Sequence, residues 1–76
     1  MEKLKQILAK VLEIDPASIT NETSPQNTPS WDSFNGLLLV TELEKGFNVK
    51  FTIDEVVAVK NVFDIKCALE KHGINF

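Results

Sequence analysis

Apolar residues near the start of the chain recur at helical spacing. Leu4, Ile7, Leu8, Val11 and Leu12 fall at i, i+3, i+4, i+7 and i+8, which puts them on one stripe of an amphipathic helix. Lysines and Glu13 take the other face. Pro16 follows, and the residue before a proline avoids the helical region, so the pattern predicts a first helix over 2–13. From Asp15 to Trp31 the periodicity is lost, and Pro16, Pro25 and Pro29 are spread through Ser, Thr and Asn. Connections this long are uncommon in compact domains and often functional. Ile19 and Trp31 are its candidate anchors, Trp31 as a hydrophobic plug; the sequence leaves open whether the segment is ordered.

The helical pattern resumes after Trp31. Asp32 or Ser33 can cap a second helix, since either side-chain oxygen can accept an orphan backbone N–H. Leu37, Val40, Leu43 and Phe47 define its expected buried side, and Gly46 its expected stop signal. Thr52-Ile53-Asp54-Glu55 has the form of a capping box. It predicts a short helix through about Val57, kept short by the β-branched Val56, Val57 and Val59. Asn61 to Asp64 opens a last helix with the stripe Val62, Ile65 and Leu69, and Gly73 lies where a C-terminal glycine belongs. The expectation is all-α: a small antiparallel bundle of three main helices plus one short helix, in a single domain over 1–76.

Composition narrows the function. A chain of 76 residues buries only about 60–65% of its unfolded surface and has little room for a deep, water-excluding cleft. The net charge is −3, all eight basic residues are lysines, and arginine is absent, so the basic face of a nucleic-acid binder is missing. The longest apolar runs, Leu37 to Val40 and Val56 to Val59, are far too short to span a membrane, and Met1 to Lys5 lacks the apolar stretch expected of a signal peptide. One cysteine builds no internal disulfide. A cytoplasmic monomer is the simplest expectation. Cys67 and His72, each the sole member of its kind, are about 140° apart on a helix, so no dyad is expected between them. They also cannot close a structural zinc site. No catalytic or metal-binding residue is assigned, and no enzyme is expected.

What remains is Asp32-Ser33-Phe34. The stretch Trp31-Asp32-Ser33-Phe34, followed by Leu37, Val40, Leu43-Glu44 and Phe47, resembles the Asp-Ser-Leu signature and second helix of acyl and peptidyl carrier proteins. The order of the remaining helices extends the resemblance over nearly the whole chain. It implies that Ser33 carries 4′-phosphopantetheine, whose thiol holds an acyl or aminoacyl cargo as a thioester. Asp32 would cap the helix and help a phosphopantetheinyl transferase place its metal ion and substrate. Phe34 stands where the family has leucine and would still offer an apolar contact beside the arm. The further partners implied are an acyl- or aminoacyl-loading ligase and a downstream acyltransferase or synthase. A phosphate ester suits a helix start, where unpaired N–H groups and the positive dipole end converge. The bland reading of the same pair is a helix cap and nothing more.

The resemblance also supplies a contrast. Fatty-acid carriers have an acidic second helix that docks on basic patches. Here Asn35, Leu38, Thr41 and Glu42, with Lys45, fall on the expected outer side, and the first four are the candidate partner-recognition residues. This neutral face tilts the reading toward a specialised biosynthetic pathway, and the Met1 start toward a freestanding carrier. The alternative is an unmodified helical adaptor that binds a protein through Leu38 and Trp31.

Overall fold

The computed structural model describes residues 2–75. Met1, on which the expectation of a freestanding chain rests, lies with Phe76 outside the described residues. The four helices are α1 (Glu2–Leu12), α2 (Ser33–Phe47), α3 (Ile53–Ala58) and α4 (Val62–Lys71), with one 3-10 turn at Pro16–Ser18. The all-α bundle of three main helices and one short one is thus what forms. Among the described residues no helix is long and apolar enough to cross a membrane.

The three main helices end in the same way. Glu13 (φ 55), Asn48 (φ 55) and Gly73 (φ 89) adopt the left-handed conformation. The next residue in each case is a β-branched apolar one: Ile14, Val49 or Ile74. Its N–H donates to the carbonyl five residues back, on Ala9, Glu44 and Leu69, at 3.2, 3.1 and 3.1 Å. This is the Schellman closure, which satisfies last-turn carbonyls and returns an apolar residue to the core. All three of these apolar residues pack against the core. Gly46 is therefore not the stop of α2; Asn48 is. Gly46 remains helical because α1 crosses there: a Cβ on it would come 2.7 Å from Ile7 Cδ1.

The long connection is ordered by hydrogen bonds. Asp15 caps the 3-10 turn through Ala17 N–H at 2.9 Å. Further along, the carbonyls of Thr23 and Asn21 accept from Val62 and Phe63 N–H at 2.9 and 3.1 Å. These are first-turn donors of α4, which have no partner within their own helix. The loop thus caps α4 while its Ile19, Thr23, Ser24, Thr28 and Trp31 are buried.

One expectation fails in detail. Leu37 was expected in the core with Val40, Leu43 and Phe47, yet it is 66% exposed; Leu39 and Leu43, each 2% exposed, are the buried residues of α2. The buried direction is turned by about 70° from the expected stripe, less than one residue step. Four consecutive apolar residues, Leu37 to Val40, leave the phase of the helix open, and α1 decides it by packing on the side of Leu39 and Gly46.

This predicts a sharp contrast between neighbours. Leu39→Ala and Leu43→Ala should each cost about 2–5 kcal/mol, whereas Leu37→Ala should cost under about 0.5 kcal/mol. Chemical denaturation of the three variants checks it; equal losses at 37 and 39 would restore the expected phase.

Candidate functional site

The start of α2 resolves the choice of cap. Asp32 is extended (φ −106, ψ −174), and its carboxylate accepts from Asn35 N–H at 2.9 Å. Ser33 is then the first helical residue, and its side chain is not consumed by capping. It is exposed at the head of a 15-residue helix. The Ser33 and Phe34 amides have no intrahelical acceptor, so partial positive charge gathers around the Ser33 hydroxyl.

The residues just before the cap are held firmly. Asn35 Nδ2 donates to the Ser30 carbonyl at 2.7 Å, tying the end of the loop to the helix. Trp31 is buried beneath, against Gly36, where a Cβ would lie 3.7 Å from Trp31 Nε1.

Ser33 also stands at the mouth of a groove of about 470 Å³. Leu37, Val40 and Leu43 form its α2 wall, Phe51 and Val56 its opposite wall, and Ile65 and Ala68 of α4 its floor. Of the stripe expected to be sealed in the core, Leu37 and Val40 face this groove, Leu43 is buried at its base, and Phe47 packs against the core. Polar groups enter the lining mainly through Asp32 and Ser33 at the mouth and through Glu55.

The α3 wall is lightly attached, since no residue of that helix is buried. A capping box closes the helix's own first turn, and a polar contact ties it to the end of α4. In the capping box, Thr52 N–H donates to Glu55 Oε1 at 2.8 Å and Glu55 N–H donates to Thr52 Oγ1 at 3.1 Å. Across to the end of α4, His72 Nε2 lies 3.0 Å from both Glu55 oxygens, a contact that requires the proton on Nε2. The His72 ring also meets Phe51 edge-on, with centroids 5.5 Å apart. The bond from Thr52 N–H, then that from His72, hold the Glu55 carboxyl below its ordinary value of 4.5. The sequence placed Glu55 in a capping box and His72 on a helix with Cys67. Their pairing, 17 positions apart, carries no local signal.

The four candidate partner-recognition residues divide. Leu38 and Thr41 are exposed, as expected for an outer face, and Thr41 Oγ1 donates back to the Leu37 carbonyl at 3.2 Å. Asn35 and Glu42 are half-buried instead: Asn35 faces the loop, and Glu42 pairs with Lys10 of α1 at 3.6 Å. The shift in helical phase that exposes Leu37 turns these two inward. Among the described residues no group of three or more His, Cys, Asp and Glu side chains is placed to hold a metal ion.

The chain is similar to known proteins along most of its length. Residues 2–66 match the family model described as "Phosphopantetheine attachment site". An acyl carrier protein of Phytoplasma australiense is 35% identical over 72 residues, covering 95% of each chain. One from Thermosynechococcus vestitus is 32% identical over 65 residues, 86% of this chain and 80% of the relative. One from Azobacteroides pseudotrichonymphae is 29% identical over 73 residues, 95% of this chain and 86% of the relative.

The Glu55 environment predicts a pH dependence. A carboxyl lowered on folding contributes stability above its unfolded value, and that contribution is lost as pH falls through the lower folded value. The native chain should therefore lose stability on acidification below about pH 4.5 more steeply than Glu55→Gln, which has no such proton to bind. Thermal melts between neutral and acidic pH test this; parallel curves would show that Glu55 gains nothing from folding.

Proposed function

The chain belongs to the acyl carrier protein family, and we propose that it bears its phosphopantetheine arm on Ser33 and carries an acyl group. The family's members are carriers rather than enzymes, and 4′-phosphopantetheine is the prosthetic group attached at the matched site. The observation that carries the assignment to Ser33 is its free, exposed hydroxyl at the first turn of α2, at the groove mouth. The residues present fit the group. Asp32 takes the cap and leaves the serine oxygen available, while the open amides of the first turn face the place a phosphodiester would occupy. When attached, the arm supplies the thiol that holds the cargo.

The groove favours an acyl over an aminoacyl cargo. Leu37, Val40, Val56, Ile65 and Ala68 offer an apolar lining, which lowers the free energy of a hydrocarbon chain by about 0.8 kcal/mol per buried methylene. A charged amino group gains nothing from such a lining. Partners in this reading are a phosphopantetheinyl transferase, an acyl-loading ligase and a downstream acyltransferase or synthase. The scarcity of free acids on the outer face of α2 supports service in a specialised pathway. An unmodified adaptor would leave the free hydroxyl and the groove without a role.

Incubation with coenzyme A and a permissive transferase should add one phosphopantetheine mass to the native chain. Ser33→Ala should melt like the native chain and remain unmodified. Mass gain by the Ala variant would move the attachment elsewhere.

A further inference from the structure

Two exposed apolar ridges lie on the helices that wall the groove. On α2, Phe34, Leu37 and Leu38 recur at i, i+3 and i+4; Phe34 is 72% and Leu37 66% exposed. On α3, Ile53 and Val57 recur at i and i+4 and are 80% and 74% exposed. Side chains at these spacings share one helix face. Neither ridge is needed for the core, which is built from other residues.

The acidic groups of the same region are largely engaged elsewhere. Glu42 pairs with Lys10 on the far side of α2. Glu44 accepts from Phe51 N–H at 2.9 Å. Glu55 is held by Thr52 and His72, and Asp32 caps α2. Beside the ridges, Asp54 is an exposed acid and Lys45 an exposed base.

We propose that enzymes acting on the arm dock on these two ridges through an apolar rim around their active-site entrance, not through a basic patch. The inference rests on Ser33 as the attachment point. That point is also what identifies the occupant, because an enzyme receiving a group from Ser33 must cover the surface beside it. Phe34 adjoins Ser33 directly, and Leu37 shares the groove with it. Contact between apolar side chains is little affected by salt, whereas attraction between exposed charges is screened within about 10 Å at 0.1 M salt. Docking on this carrier is therefore insensitive to ionic strength.

The test uses the full chain, coenzyme A and a transferase of broad carrier tolerance, with KM for the carrier measured at about 50 mM and about 500 mM sodium chloride. KM should change by less than about twofold between the two salts. The uncharged double variant Leu37→Ser/Val57→Ser should raise KM by about tenfold or more at both, the loss expected when two apolar side chains are no longer buried. Asp54→Asn should stay within about twofold of the native chain. Both ridge positions are exposed, so melting curves should match; if the double variant unfolds, the single variant Leu37→Ser carries the measurement. A steep rise of KM with salt, an equal loss in Asp54→Asn, or a native KM in the ridge variant overturns the docking mode while Ser33 modification stands. Failure of the native chain to gain the arm overturns the Ser33 reading, and this inference with it.

Discussion

Everything in this small bundle follows from how α1 seals α2 on one side only. Gly46 lets the two helices approach closely, and Leu39 and Leu43 are buried on the side so defined. A helix presents apolar residues around more of its circumference than one neighbour can cover. In α2 the surplus is large, because Leu37 to Val40 is an unbroken apolar run. The part that α1 does not cover becomes the wall of a groove. A second full-length helix packed there would have closed it. The chain instead supplies α3, six residues long and without a buried side chain.

The long connection completes this arrangement from the other end. Its carbonyls replace the acceptors that the first turn of α4 lacks, so the loop and α4 are fixed to each other. Its last residues bury Trp31 under α2 and are tied to Asn35. The cap residue Asp32 therefore emerges from a rigid support, and Ser33 takes a defined position at the groove mouth. A serine in a loose segment would offer the same hydroxyl with no fixed relation to the groove.

Division of work between neighbours is what gives the site its chemistry. Asp32 satisfies the backbone of the helix, which leaves the Ser33 hydroxyl out of the capping role. Glu55 satisfies the backbone of α3 and reaches His72, so a wall of the groove without a buried side chain is tied to the end of α4 by a polar contact. With Glu42 and Glu44 also committed to internal partners, the outer surface near Ser33 is left to apolar side chains.

Local chemistry was legible in the sequence. The stripe of α1, the capping box Thr52–Glu55, the start of α4 at Asn61 and the pair Asp32-Ser33 all act through neighbours within one or two turns. Such short-range rules survive in any tertiary setting. The carrier-protein resemblance was legible for the same reason, since its signature is a contiguous string at a helix start. Packing decided the rest. Whether Asp32 or Ser33 caps α2, which of the four residues Leu37 to Val40 is buried, and why Gly46 is not a stop all depend on where α1 and the loop lie. The inward turn of Asn35 and Glu42 and the reach of His72 to Glu55 depend on it as well. A sequence pattern specifies that a helix has an apolar side; only the neighbours that cover it determine which part of that side is core and which is an open groove.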